Sequence, residues 1–403
     1  MPSASSRFTS VAAVAAAFVF LASWALLHRG FYAAEEIVDI PVYETYGNAI
    51  ADGDVPYRDF RLEYPPGALP AFAVPALVGG RDSAAFRQAF ERTMALCGVA
   101  TVLLAAAVLA GVRAPRTRVV AALGAVALFP LLLGNVILTR FDLWPTALVV
   151  GALAALVWRR ARLGFGLLGA AVAAKLFAAI LLPLALAEVW RRRGRREAAV
   201  CLAVFATVVA VAFVPFLLLA PEGVAYSFGR QLSRPLQIES LASALFLAAH
   251  HLFGLPLEMR SGSGSQNLAG AAPAVAAVAL SLVQVATLVW IWLRRPATAA
   301  ELVRWGAAAL VAFVALGKVL SPQFLIWLAP VVPLVAGRRG AVASVLLLAA
   351  LVVTQLWFPY RYWELALEFD GPAAALVLVR DLLLVAVLVV LVRAREPGAA
   401  RSP

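Results

Sequence analysis

Long apolar runs alternate with short polar gaps along this chain, and their lengths predict membrane-spanning helices. Runs near 8–27, 93–111, 119–139, 143–158, 198–220, 271–293, 302–320, 323–337, 340–357 and 373–392 each approach the ~20 residues that cross a hydrocarbon layer. One further apolar stretch, 163–190, carries arginine clusters at both ends. With both ends on one side it has to go out and come back, yet it is too short for two spans of ~20 residues each. It reads as a tight or re-entrant hairpin turning near Lys175. Non-helical backbone at that depth must be buried in protein or line a wet cavity. A shorter apolar piece, 241–253, reads as a helix lying in or dipping into the interface. Counting the hairpin as two, the pattern predicts an all-α polytopic membrane protein of about twelve passes. The first run is read as a retained helix, because no small-residue cleavage site follows it. No internal repeat is visible.

Composition agrees with the pattern. The 403 residues are 63% hydrophobic and 14% charged, with mean hydropathy +0.90. A soluble domain is about half apolar and a quarter charged. The net charge of +12 could suggest nucleic acid, but its distribution argues against that partner. Arginines fall in the gaps between apolar runs: Arg113, Arg116 and Arg118; Arg159, Arg160 and Arg162; Arg191–Arg193 with Arg195 and Arg196; Arg294 and Arg295; Arg338 and Arg339; Arg393 and Arg395. This is the positive-inside pattern of cytoplasmic loops. Both termini are then cytoplasmic, and two polar regions, 28–92 and 221–270, are extracytoplasmic. The chain reads as one integral-membrane domain over 1–392 in a bacterial inner (cell) membrane, with a disordered cytoplasmic tail at 393–403. Cys97 and Cys201 lie inside apolar runs and read as core.

Charge within the membrane is costly and points to function. The chain has two lysines, Lys175 and Lys318, each inside or at the end of an apolar run. Lys175 sits centrally in its hairpin; Lys318 serves equally well as a snorkelling span end. The first extracytoplasmic loop carries ten acids, Glu36, Asp39 and Glu63 among them, most of them ordinary solvated charge. Held near the membrane by aromatic residues, it is a place for a general base acting on a hydroxyl. Arg230 and Arg234 run against the positive-inside trend. They suit an anionic ligand, since a guanidinium fork matches phosphate, or they pair with loop acids such as Glu239. Arg140 and Asp142 form a short polar hinge. His250 and His251 are adjacent but have no third ligand at zinc spacing, so no metal site is assigned. No phosphate-binding Gly-Lys-Ser/Thr loop, Gly-x-Ser-x-Gly elbow, His-Glu-x-x-His or Cys-x-x-Cys motif occurs, and no cofactor is called for. The Ser261-Gly262-Ser263-Gly264-Ser265 stretch has the composition of a flexible linker. Tyr360, Tyr362 and Trp363 read as an interfacial aromatic belt.

Five elements in order carry a resemblance. They are Asp39 and Tyr43 with Pro56-Tyr57-Arg58-Asp59-Phe60 and Glu63-Tyr64-Pro65-Pro66; Arg140-Phe141-Asp142-Leu143-Trp144-Pro145; Gly169 to Phe177 around Lys175, ending in Leu182-Pro183; Arg234-Pro235-Leu236-Gln237-Ile238-Glu239-Ser240; and Ser321-Pro322-Gln323-Phe324-Leu325-Ile326-Trp327. Together they resemble the GT-C superfamily of integral-membrane glycosyltransferases, and within it glycosyltransferase family 87, which includes actinobacterial polyprenyl-phosphomannose-dependent mannosyltransferases. The resemblance implies an inverting transfer of a sugar, mannose by family analogy, from a polyprenyl monophosphate to a glycolipid or glycan acceptor at the extracytoplasmic face. It implies a carboxylate base just after the first span, for which Asp39 matches best and Glu36 is the rival. It implies cations for the donor phosphate: Arg230, Arg234 and Lys175, with Lys318 and His250 behind. The acceptor and sugar side falls to Tyr43, Arg140, Asp142 and Gln323. The expected partners are the lipid-linked donor, the acceptor and membrane lipids.

Two other classes fit the same pattern. A transporter or flippase would use Lys175 in a broken helix, but such proteins are commonly built from repeats. A non-catalytic subunit of an envelope-assembly complex would keep the fold and lose the need for Asp39 and the outward arginines.

Overall fold

The computed structural model describes residues 4–34 and 36–393, and helices dominate it. The first apolar run is α1 (Ala4–Leu26). The polar stretch after it folds into α2 (Ile40–Ala51) and the apolar α3 (Leu69–Gly79), joined through a tight turn at Pro66–Ala68. Pro41 and Pro70 both stand in a first helical turn, where a missing N–H leaves nothing unpaired. Next comes α4 (Ser83–Gly111), capped by the Asp82 carboxylate accepting from the Ala85 amide at 2.9 Å. This cap starts the helix well before residue 93. The loop expected over 28–92 therefore ends at Asp82, and the charged first turns of α4 project beyond its apolar body.

Then follow α5 (Arg116–Leu133), α6 (Leu143–Val157) and α7 (Ala161–Ala174). At Lys175 the backbone turns extended (φ −160°, ψ 125°), passes through a tight helical turn at Leu176–Leu181, and enters α8 (Leu182–Leu219). Gly194, at φ 83°, breaks α8 into two segments between its arginines. The hairpin expected around Lys175 is thus present, and its returning arm ends at the second arginine cluster.

The region 221–270 is ordered. It holds α9 (Pro221–Leu232), α10 (Leu241–Phe253) and an antiparallel hairpin of β1 (Glu258–Gly262) and β2 (Ser265–Ala269). Ser263 and Gly264 both have positive φ, 55° and 70°, as a two-residue hairpin turn requires. The Ser-Gly run expected to be a flexible linker is this turn: small residues that loosen a linker also tolerate the left-handed backbone of a tight one.

The chain ends with α11 (Ala271–Trp292), α12 (Ala299–Ala315), the single turn α13 (Leu325–Leu328), α14 (Gly337–Trp357), α15 (Tyr362–Glu368) and α16 (Gly371–Val392). The expected span at 323–337 is not one helix. Pro322, Pro330 and Pro333 cut it into short turns. From Phe324 to Val335 it is buried, the condition for irregular backbone inside a bundle.

Among the described residues seven helices are long and apolar enough to cross a membrane, and the chain is a multi-pass membrane protein. Because successive long helices reverse direction, the bundle has two unlike ends. One gathers 112–118, 158–162, 190–196, 293–298 and 335–339, where the arginine clusters lie. The other gathers 27–82, 134–142, 175–181, 220–270, 316–324 and 358–370. Contacts tie each end together. Arg118 donates to the carbonyls of Pro333 and Val335 at the arginine end. At the loop end Tyr32 donates to Leu131 and Asn135 to Tyr32.

Candidate active site

The centre of the loop end is a carboxylate with two donors. Asp142, fully buried at the start of α6, accepts from Lys175 Nζ and from Trp327 Nε1 on the same Oδ1, each at 2.6 Å. Its Oδ2 has no hydrogen-bond partner. The Lys175 ammonium also lies 4.7 Å from the Phe141 ring and 5.2 Å from the Trp327 ring. Trp327 stacks on Phe177 and Phe324 at 4.0 and 4.3 Å. A buried ion pair is favourable only when further contacts satisfy it. Here an indole N–H and two aromatic faces do so, the faces contributing up to ~2 kcal/mol when desolvated.

Lys175 is set in place by main-chain contact. The first loop turns at Pro65-Pro66-Gly67. A Cβ on Gly67 would stand 2.5 Å from the Ala173 carbonyl carbon and 2.6 Å from the Ala174 nitrogen. The Gly67 carbonyl accepts from Trp144 Nε1 at 2.9 Å. Loop, α6 and the end of α7 meet here with no side chain of residue 67 between them.

Asp39 stands beside this centre, at the start of α2. Its Oδ2 is 3.2 Å from Nε of buried Arg140, an ion pair not aligned as a hydrogen bond, and accepts from the Tyr43 hydroxyl at 3.3 Å. Tyr43 packs among Phe72, Phe90, Phe141 and Tyr64, and burial raises its pKa well above the ordinary value. It therefore stays protonated and donates. The Asp39 side chain remains 32% exposed, so it has both a fixed orientation and an open edge. Glu36, the rival, is bound to Arg87 at 2.7 Å; Arg87 also holds Glu91, which meets His28. That network anchors the loop to α4 and takes Glu36 away from the Asp142 centre.

The expected phosphate cations separate. Arg230 pairs with Glu63 at 2.8 Å. Arg234 is half-buried, its Nε has no partner, and it lies within electrostatic reach of Tyr64, Glu63, Glu239 and Arg230. Lys318 donates to the Leu232 carbonyl at 3.0 Å, while its own carbonyl accepts from Gln237; it holds the α9–α10 loop. His250 is bonded to the Leu255 carbonyl at 2.7 Å, and His251 to that of Phe369; neither reaches the cluster. Gln323 is half-buried in the turn four residues before Trp327. Tyr362, expected in a belt, is buried and faces Glu239, Arg140 and Arg234; of the three aromatic residues, Trp363 is the one with a largely exposed ring.

Some members were given no role in the site by the sequence reasoning. Glu239 is buried, its carboxylate accepts from Gln237, and burial pushes its pKa up to about 7 against the pull of Arg380. Arg380 and Asp381, both fully buried in α16, approach to 2.7 Å, and Arg380 Nη2 donates to the Glu239 carbonyl at 2.7 Å. The signal was available: two charges in the middle of the last apolar run satisfy the same rule that singled out Lys175. Trp327 gave no such signal, because an indole in an apolar run looks like core.

Comparison with known proteins bears on the family and the fold. The family model described as Glycosyltransferase family 87 matches residues 62–322. No curated protein matches the chain in sequence. Among solved structures, a crystal structure of ArnT from Cupriavidus metallidurans bound to undecaprenyl phosphate is similar at TM-score 0.50 and 15% identity, over 95% of this chain and 76% of that one. With the family model covering well over half of the residues, and a fold shared with ArnT over 95% of its length, the chain belongs to glycosyltransferase family 87.

Proposed function

We propose that this enzyme moves a sugar, mannose as the first candidate, from a polyprenyl monophosphate to a hydroxyl of a lipid or glycan acceptor. The observation that carries the proposal is the convergence of Asp39, Arg140, Asp142 and Lys175, with Arg234 alongside, at the end of the bundle opposite the arginine clusters. Those clusters mark the cytoplasmic side, so the reaction belongs to the extracytoplasmic face. ArnT, with the same fold, was crystallised with undecaprenyl phosphate, which supports a lipid-phosphate donor.

The chemistry follows from the charges. The acceptor oxygen attacks the anomeric carbon from the face opposite the phosphate and inverts its configuration. Asp39 takes the hydroxyl proton through its open edge, held by Tyr43 and Arg140. The bond from the anomeric carbon to the phosphate oxygen breaks, and its electron pair leaves with the polyprenyl phosphate. That leaving group needs positive charge more than a proton. The unpartnered Nε of Arg234 and the donors of Lys175 not engaged by Asp142 supply it. The acceptor and sugar side falls to Tyr43, Arg140, Asp142 and Gln323.

Sugar transfer by purified protein in nanodiscs tests the reading, with radiolabelled polyprenyl-phosphate mannose and a lipid extract as acceptor. Wild type should form a labelled glycolipid, and Asp39→Asn should lose about 10²–10⁴-fold in rate with an unchanged melting temperature. An Asp39→Asn protein as active as wild type would move the base to Glu36. If wild type transfers nothing from mannose or other polyprenyl-phosphate sugars, the transporter and scaffold readings replace this one.

A further inference from the structure

The end of the bundle opposite Asp39 contains a cavity of about 490 Å³, between the α6–α7 turn and the middle of α8. Arg159, Arg160, Arg162 and Arg193 line it against a single acid, Glu197. Two of these arginines are engaged. Arg162 forks onto Glu197 with bonds of 3.1 and 2.9 Å. Arg193 donates to the Arg159 carbonyl at 2.5 Å and stands 3.8 Å from Glu197. The guanidinium groups of Arg159 and Arg160 have no acid, carbonyl or ring partner among the described residues. Of the other arginines at this end, Arg116 lies over the Phe8 ring, Arg118 binds two carbonyls, and Arg294 lies 3.8 Å from the Trp290 ring; none of them lines the cavity.

The depth of the cavity is marked independently. Trp158, 54% exposed, directly precedes Arg159 and donates its Nε1 to the Ala107 carbonyl at 2.8 Å. Trp190, 50% exposed and three residues before Arg193 on α8, lies under Arg195. Exposed tryptophans of this kind sit at the level of lipid head groups. The remaining wall includes Leu163, 51% exposed, which offers an apolar surface beside the charge. A concave site with surplus guanidinium groups, head-group depth and an apolar flank matches one chemistry.

We propose that this cavity binds the phosphate of an anionic phospholipid of the leaflet opposite the active site. Arg159 and Arg160 take the phosphate oxygens, and Leu163 lies along the start of an acyl chain. The site has a route to the chemistry, because α7 joins the two. It begins at the cavity and ends 14 residues later at Lys175, about 21 Å at 1.5 Å per residue. A lipid held here ties the start of α7 to the middle of α8, and through α7 it limits the freedom of the Lys175 end.

The test is a binding measurement on the full-length protein and does not depend on the transfer activity. Delipidated wild type, Arg159→Gln/Arg160→Gln and the charge-matched control Arg294→Gln/Arg295→Gln are reconstituted into phosphatidylcholine vesicles with or without phosphatidylglycerol. Retained lipid is then read by native mass spectrometry, with inorganic phosphate as a separate arm. Wild type and the control should retain phosphatidylglycerol, and the cavity variant should bind it about tenfold or more weakly, the loss expected for charge-assisted hydrogen bonds. Equal retention by all three proteins overturns the site. Binding of inorganic phosphate by wild type, lost in the cavity variant and without preference for phosphatidylglycerol, overturns the lipid assignment in favour of a soluble phosphate ester.

Discussion

Among the described residues two carboxylate–cation pairs deep in the bundle are built in opposite ways. Asp142–Lys175 lies where helices end. Its carboxylate takes two donors, its ammonium faces two rings, and each partner keeps hydrogen-bonding capacity in reserve beside Asp39. Arg380–Asp381 lies within a helix and is fully sealed. Its 2.7 Å contact is not aligned as a hydrogen bond, and both Asp381 oxygens and Arg380 Nη1 lack partners. Its one directed bond to the rest of the chain is from Arg380 Nη2 to the Glu239 carbonyl, with the Trp357 ring 5.6 Å away. The first pair is arranged to meet something arriving from outside. The second fixes the loop that carries Arg234 and Glu239, and it leaves both its carboxylate oxygens without a hydrogen-bond donor, where the first gives one oxygen two.

The largest effect expected from breaking this contrast is at the sealed pair. Arg380→Leu leaves Asp381 buried without a counter-charge and should destabilise the protein by about 3–5 kcal/mol, whereas Arg380→Leu/Asp381→Leu should recover most of that loss. Thermal unfolding in detergent compares the two. A double variant no better than the single one would show that the bond to Glu239, rather than the charge, holds the fold.

Next comes the open pair. Lys175→Met should lower transfer by about 10²–10³-fold, the range for losing one preorganised stabiliser of developing negative charge. Single-turnover kinetics with saturating donor isolate this step; a variant slowed only at low donor would limit Lys175 to binding. Smaller again, Trp327→Phe removes one donor from Asp142 and should cost about 1–3 kcal/mol of stability. It keeps the stacking on Phe177 and Phe324, so a loss well beyond this range would point to disrupted packing instead.

The last effect is confined to a window of pH. Burial holds the Glu239 carboxyl at about 7, against 4.5 ordinarily, so the fold favours its protonated form. That contribution is complete below pH 4.5 and is lost as the pH rises through about 7. The melting temperature should fall across this interval in wild type and fall less in Glu239→Gln. Parallel curves for the two proteins would assign the pH dependence to another group.

The same contrast explains what the sequence could disclose. Lys175, Asp39 and the Arg140–Asp142 hinge were legible because each breaks an apolar pattern locally or sits in a short polar motif. The turn at Lys175 followed from arithmetic on a stretch too short for two spans. Trp327 was not legible as a site residue, because its partner Asp142 is 185 positions away and the indole itself looks like core. The broken stretch after Pro322 looked like a span because hydropathy does not register the prolines that cut it. Arg380 and Asp381 were legible in principle. Their local pattern was as plain as that of Lys175, but what they hold, the Glu239 carbonyl 141 positions away, was not.

The contact at Gly67 has a consequence for how this enzyme can diversify. The first loop and the end of α7 touch through backbone atoms, so the distance from the loop to Lys175 is a fixed ruler that exchange of neighbouring side chains does not change. Side chains around the cluster can then vary while the place of Lys175 relative to the loop is inherited unchanged. Any residue but glycine at position 67 would lengthen that ruler, and the whole hairpin would have to move with it.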